Sequence, residues 1–258
     1  RRANRYREFV MDLSLNGRTA AVAAATAGLG LASARALVEA GVRVAICGRT
    51  SARVDAAVAA LGPNAVGIEC DVSTSDGATM FVELARKQLE HIDILVTNGG
   101  GPKPGNFASL TVDDYLPALQ QSLLSVVAMC EAAVPAMRER KWGRVVAITS
   151  ISVRQPIANL MLSNTARAGV TGFLKTLARE IAGDGVTVNS VQPGIHATDR
   201  ITQLYGAQPD AQQLGIPAGV VGDPLDFGRV VAFLCSEPAR FITGAHLPVD
   251  GGSYAGLL

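Results

Sequence analysis

Residues 20–30 read AAVAAATAGLG. An apolar run ends here in two closely spaced glycines, Gly28 and Gly30, and LASARALVEA at 31–40 continues as a periodic helical stretch stopped by Gly41. Strand, glycine turn and helix in that order place Gly28 and Gly30 where the chain turns tightly and where a helix start can receive a pyrophosphate. Two glycines alone are weak evidence, so the segments on either side carry the weight.

Working outward, short β-branched apolar runs at 19–24, 42–47, 65–69, 92–97, 144–149, 186–191 and 246–249 alternate with alanine-rich helical stretches. The second run leads into SARVDAAVAALG, a helix stopped by Gly62. Such alternation is the pattern of a parallel sheet with helices on both faces, so the expected fold is α/β, a single Rossmann-type doubly wound sheet of about seven strands. Residues 113–140 and 163–182 are apolar around most of their circumference and are expected as helices buried against the sheet or a subunit interface. The segment 196–223 is rich in Gly, Pro and Gln without a sustained period, as a loop over the sheet's C-terminal edge would be. A chain of 258 residues with no repeat and no second core-forming block is expected to be one domain over 11–258. The basic, unpatterned RRANRYREFV at 1–10 precedes Met11 and is expected to be a tag or a disordered extension.

Apolar residues make up 48% of the chain, charged residues 17%, and the formal net charge is +1. A large core is affordable on that composition, and no general attraction to nucleic acid or anionic membrane follows from it. Small-molecule chemistry is favoured. Cys47, Cys70, Cys130 and Cys235 are far apart without CxxC or metal-type spacing, so buried free thiols and no metal site are expected. No uninterrupted apolar run has bilayer length and no apolar stretch follows the N-terminal charges, so the expectation is a cytoplasmic protein without membrane contacts.

The segments CDVS at 70–73, DILVTNGG at 93–100, GRVVAITS at 143–150, TVNSVQPG at 187–194 and FITGAHLPVDGG at 241–252 follow the glycine turn in order. Together they resemble the short-chain dehydrogenase/reductase family over nearly the whole chain after Met11, and in particular its 3-oxoacyl-carrier-protein reductase-like members. The resemblance implies that Gly28, Leu29 and Gly30 form the pyrophosphate turn, with Ala24 where the family has its first glycine. It implies that Asp71 and Val72 bracket the adenine, that Asn98 and Gly99 lie beside the adenosine ribose, and that Pro193, Gly194 and Thr198 belong to the segment against the nicotinamide. An NAD-preferring member usually ends its second strand with an Asp for the ribose hydroxyls; this chain has Cys47-Gly48-Arg49. A guanidinium at Arg49 suits a 2′-phosphate, with the Thr26 hydroxyl assisting, so NADP(H) is expected over NAD(H) even though Ala27 stands where many NADP enzymes carry a basic residue.

The family's catalytic positions can also be located. Ser150 matches the serine that polarises the carbonyl. Thirteen residues on, Ser163 stands at the tyrosine position, Arg167 at the lysine position and Ser122 near the asparagine position. Ser163 and Arg167 share one helix face at i, i+4. A phenol of reference pKa about 10 can be tuned towards neutrality by a nearby cation, whereas an aliphatic hydroxyl is a far weaker acid. Arg167 can bind ribose hydroxyls and stay positive but cannot carry a proton. The usual tyrosine mechanism is therefore excluded at this position, and Tyr115, Tyr205 and Tyr254 lie outside the motif, though Tyr205 on the variable loop is placed to fold back. His196, following Pro193-Gly194-Ile195, is the candidate proton donor, with Ser150 and Arg167 stabilising negative charge on a carbonyl oxygen. Arg154, at the expected pocket edge, is placed to attract an anionic group, but an exposed arginine is the favoured reading.

Two functions of different classes lead, ahead of a third reading, loss of cofactor binding as well, which the retained Gly28, Gly30, Asn98 and Pro193-Gly194 weaken. The leading one is an NADPH-dependent oxidoreductase reducing a carbonyl or conjugated carbonyl by hydride transfer, with a non-standard site; conjugate reduction tolerates loss of the tyrosine better because it needs an enolate stabilised and a carbon protonated. The second is a dinucleotide-binding protein without redox turnover, acting as a partner subunit, a sensor, or a lyase or isomerase. The C-terminal FITGAHLPVDGGSYAGLL resembles the family's last strand and tail, which commonly meet a neighbouring subunit, so a homotetramer is expected, with a dimer second. Residues 152–162 and 196–223, which would shape the pocket, match no motif, and the substrate is not named by them.

Overall fold

The computed structural model describes residues 11–206 and 209–257. The extension expected at 1–10 lies outside the described residues. Seven parallel strands form one sheet in the order β3-β2-β1-β4-β5-β6-β7: β1 Thr19–Val22, β2 Arg43–Gly48, β3 Ala65–Glu69, β4 Ile94–Thr97, β5 Gly143–Ile148, β6 Val186–Pro193 and β7 His246–Val249. All seven expected runs are strands. Val22 sits in register with Ile46 of β2 on one side and Val96 of β4 on the other. The chain order reverses at that point, so the loops after β1 and β4 diverge and leave a crevice at the carboxyl ends of the strands.

Alternation along each strand divides the apolar side chains between two layers. Ala21, Leu95, Val145, Val186 and Val188 face one layer, with α3 (Ser75–Leu89), α5 (Ser125–Glu139) and α6 (Met161–Ile181) packed on it. Val22, Ile46, Val96, Ile148 and Val191 face the other, covered by α1 (Gly28–Glu39), α2 (Ser51–Leu61) and α8 (Pro224–Cys235). Phe81 of α3 and Phe227 of α8 are fully buried on their respective sides, each contributing about 1.5–3 kcal/mol of hydrophobic stabilisation. All four cysteines are buried and free, and burial pushes the thiols of Cys47, Cys130 and Cys235 up to about 12.

The long apolar stretch expected at 113–140 is not one regular helix. A Thr111–Asp114 capping box opens a short 3-10 turn, then α4 (Tyr115–Leu119) runs into a π turn at Gln120–Leu124 before α5 begins. A π turn carries i→i+5 bonds and one extra residue. By length and composition alone Val112–Glu139 would cross a membrane. Its Met129, Cys130, Val134 and Met137 instead pack in the core beside α3 and the sheet, so the stretch is a core helix of the domain. The segment 196–223 is also more ordered than a bare loop: it contains α7 (Asp199–Tyr205), and its ends are tied by a bridge between His196 and Gly222. Gly206, with φ +85°, stops α7, which is too short to show a periodic signal in sequence.

Candidate active site

The glycine turn is built by close approach. A Cβ on Gly30 would lie 2.6 Å from Asn98 Nδ2 and 2.8 Å from the Ala24 carbonyl, so only glycine fits there. Asn98 Nδ2 in turn donates to the Ala24 oxygen at 3.1 Å, locking the turn after β1 to the end of β4. Ala24 takes φ +47°, a left-handed conformation that costs an alanine about 1–2 kcal/mol and a glycine nothing. Gly28 opens α1 at φ +56°, and the Thr198 methyl stands 3.6 Å from where its Cβ would be. The first turn of α1 holds no acidic residue, and Ala27 ahead of it offers no side-chain cap. The first N–H groups therefore face a cleft lined by Thr26, Ala27, Gly28, Arg35, Thr198 and Asp199, where the helix start favours an anion.

At the end of β2, Gly48 packs directly against the Thr26 side chain. Arg49 follows, exposed, and α2 starts two residues later. Arg49 is thus one residue beyond the Gly48–Thr26 contact, on the β2 side of the glycine turn. The Cys47 sulfur accepts the Ala24 N–H at 3.2 Å and supports the turn from beneath. Asp71 is exposed, its carboxylate accepting from the Ser73 N–H at 3.0 Å, beside the buried Val72.

On the other side of the crevice, Ser150 stands two residues after β5 and caps a 3-10 turn, Ile151–Val153; its Oγ accepts from the Ser152 N–H at 3.1 Å, which leaves the hydroxyl proton to donate elsewhere. Ser163 lies nearly buried in the first turn of α6. One turn on, Arg167 donates through Nη1 to the Ile148 carbonyl at 3.2 Å. Its side chain lines a small recess with Thr97, Asn98, Gly99, Gln121 and Ser122. Ser122 reaches that recess from the π turn, and the hydroxyl oxygens of Thr97 and Ser122 are buried there without a hydrogen-bond partner among the described residues. The residues at the ribose and lysine positions thus share one polar recess.

His196 is placed differently. Its ring meets Phe227 of α8 edge-on at 5.1 Å, lies against Gly222, and its Nδ1 is 3.3 Å from the Gly194 carbonyl. Phe227 belongs to the layer opposite α6, so the ring turns away from the face that carries Ser163 and Arg167. Burial lowers its pKa from the ordinary value, which keeps the imidazole neutral. Pro193 and Gly194 sit at the end of β6, where the Gly194 N–H donates to Val249 at 3.0 Å.

The family model described as enoyl-(acyl carrier protein) reductase matches residues 23–254. The 3-oxoacyl-[acyl-carrier-protein] reductase of Vibrio cholerae is 32% identical over 242 residues, covering 94% of this chain and 99% of that protein. The chain is a short-chain dehydrogenase/reductase. Among solved structures of the family, an NADPH-bound short chain oxidoreductase from Pseudomonas aeruginosa PAO1, described as containing an atypical catalytic center, superposes with a TM-score of 0.86 at 30% identity, covering 93% of this chain and 97% of its own. The L-sorbose reductase of Gluconobacter frateurii, complexed with NADPH and L-sorbose, gives 0.86 at 26% identity, covering 96% and 100%.

Several contacts of this short-chain dehydrogenase/reductase site had no signal in the sequence. Arg154 is half-buried rather than exposed: Nε donates to Gln192 Oε1 and Nη2 to the His246 carbonyl, both at 2.8 Å. Asn164 clamps the loop before α6, its Nδ2 donating to the Ile157 carbonyl at 3.0 Å. Gln121 holds the glycine-rich loop after β4, donating to Gly100 at 3.0 Å. The Arg154 and Gln121 contacts join segments 21 to 92 residues apart, the Asn164 contact spans seven, and no periodic pattern announces any of them. Tyr205 ends α7 exposed, while Tyr254 lies beneath the Arg154 guanidinium, 5.3 Å from it.

Proposed function

We propose that this short-chain dehydrogenase/reductase is an NADPH-dependent reductase of a carbonyl or conjugated carbonyl that works without the family's tyrosine and lysine. The observation that carries the reading is the position of Arg167, a guanidinium in one recess with Asn98 and Ser122 at the carboxyl edge of β4 and β5. The cradle fits a dinucleotide: the Gly30 approach leaves no side chain over the turn, and the α1 start is uncapped. Gly28, Leu29, Gly30 and Thr198 would hold the pyrophosphate, Asp71 and Val72 the adenine, Asn98, Gly99 and Arg167 the riboses, and Pro193 and Gly194 the nicotinamide side. Thr26 and Arg49 would take the 2′-phosphate, and the NADPH-bound state of the Pseudomonas relative supports that preference. When bound, the cofactor supplies the hydride.

The chain's own task is then to hold an oxygen that gains negative charge. Ser150 donates its hydroxyl proton and Arg167 supplies its fixed positive charge, both held on rigid elements before the charge develops. Arg167 stays protonated throughout. Because the His196 ring is turned to α8 and kept neutral by burial, the proton in this reading comes from water. Ser163, in the first turn of α6 one turn before Arg167, orders that water. A homotetramer, with a dimer second, completes the proposal; Val112 just before α4, Leu116 on α4, Phe241 before β7 and Leu247 on β7 stand exposed as apolar contacts for it.

The test is a fluorescence titration with NADPH and NADH, followed by ketones, quinones and conjugated enones added to the cofactor that binds. Saturable NADPH binding and oxidation by one class is the expected result, with Arg167→Met lowering kcat by about 10²–10³ as loss of a preorganised donor does. Tight NADPH binding without oxidation by any class would overturn the redox reading in favour of a dinucleotide-binding protein without turnover.

A further inference from the structure

Arg154 lies four residues after Ser150 and reaches three separate parts of the chain. Nε donates to Gln192 Oε1 at 2.8 Å, Nη2 donates to the His246 carbonyl at 2.8 Å, and the guanidinium lies over the Tyr254 ring at 5.3 Å. Gln192 is fully buried on β6, two residues before Gly194. Val186 and Val188 of the same strand pack with Val170 and Leu174 of α6, so alternation turns Gln192 to the α6 face as well. The Arg154 N–H fixes Oε1 as the acceptor and thereby the amide's orientation.

Tyr254 is itself anchored. The tail after β7 winds around Asp250, whose carboxylate accepts from the N–H of Gly252 at 3.0 Å and of Tyr254 at 2.8 Å. The next residue, Gly251, accepts from the Ala218 N–H at 2.9 Å, and a Cβ on it would lie 2.8 Å from Ile216. Contacts therefore run without a break from the Ser150 loop through Arg154 and Tyr254 to the end of the variable 196–223 segment. Arg154 meets two neutral acceptors and an aromatic face, with no carboxylate among these contacts, so it acts as a planar multi-point connector, for which a lysine has the wrong shape.

We propose that Arg154 is a positioning residue that clamps the loop carrying Ser150 to the C-terminal segment 250–257, so that the serine side and the variable side of the site form one wall. The inference rests on the proposed reductase reading for its catalytic consequence, but the clamp itself has a readout that needs no turnover. In the full-length protein, Arg154→Ala raises amide hydrogen exchange in both 151–158 and 250–257, while the pyrophosphate turn at 24–30 keeps its protection. Tyr254→Ala reproduces the effect from the tail side and serves where the arginine variant fails to fold; Tyr254→Phe, which keeps the ring, restores protection. In the kinetic arm, Arg154→Ala lowers kcat by about tenfold or more through misplacement of Ser150, with the NADPH dissociation constant unchanged and Arg154→Lys intermediate. Unchanged exchange in 250–257, or unchanged kcat in an active protein, overturns the clamp. A wild type that binds NADPH but turns over nothing defeats the reductase reading, and the exchange arm still decides the clamp.

Discussion

Replacing Arg49 by alanine separates recognition of the 2′-phosphate from recognition of the rest of the dinucleotide. Arg49 is exposed at the end of β2 and its neighbour Gly48 packs on Thr26, so the substitution leaves the sheet and the glycine turn intact. A charge-assisted hydrogen bond is worth about 1.5–3 kcal/mol, and one exposed, solvent-screened contact to a phosphate belongs towards the lower half of that range. Taking about 2 kcal/mol, at 1.4 kcal/mol per tenfold, the NADPH dissociation constant rises by about 30-fold. NADH, without the phosphate, changes by less than about twofold, and the preference that remains fades with added salt because the charges are exposed. Titrating nicotinamide fluorescence with both cofactors, at low and high ionic strength, measures each number directly. Equal losses for the two cofactors, or no loss for NADPH, would refute the assignment of Arg49 to the phosphate, and a fallen Tm would mean that the side chain is structural after all.

Ala24→Gly removes the left-handed strain at φ +47° while adding unfolded-state freedom, for a net gain of about 0.5 kcal/mol visible as a small rise in Tm; a fall in Tm would contradict the strain. Gly30→Ala drives a Cβ towards the Ala24 carbonyl and the Asn98 amide, costing about 1–3 kcal/mol of stability, and weakens NADPH and NADH alike, unlike Arg49→Ala. Burial lowers the pKa of His196 below its unfolded value near 6.5. The unfolded chain therefore takes up the proton first, and the stabilising contribution, present above pH 6.5, is lost as pH falls through the folded pKa. His196→Asn should flatten part of that acid-side loss in urea titrations, His246 adding a loss of the same sign. It should also retain turnover, and a collapse of kcat in a folded variant would return the proton to the imidazole.

The parallel sheet was legible because its strands are short apolar runs punctuated by glycine-stopped helices, a signal local enough to survive in one sequence. The glycine turn was legible for the same reason: a turn at a strand terminus sits next to the strand in the chain. What the sequence withheld depends on rotation and on distance. His196 and Ser163 both lie near motif ends, yet one projects to α8 and the other to the α6 side, and a single residue of loop geometry decides which. Arg154 looked exposed because its partners, Gln192, His246 and Tyr254, are 38, 92 and 100 residues away along the chain. The break in the long helix before α5 was hidden because a π turn leaves composition unchanged.

That π turn at Gln120–Leu124 sets the phase of everything ahead of it. Each helical residue advances the chain by about 100° and 1.5 Å, so deleting one residue there to regularise the helix would spin α4 by more than a quarter of a revolution against the stationary α5. Leu116, now open to solvent, would be redirected, the buried Ala118 would leave its contacts, and Ser122 would lose its place opposite Arg167. The surplus residue works as an angular offset: it permits the amino-terminal part of the helix to meet its surroundings on one bearing while the polar recess is served on another. Exchanges of side chain at position 122 leave that offset untouched, whereas changes of length in this turn do not, so this short stretch should accept substitution far more readily than insertion or deletion.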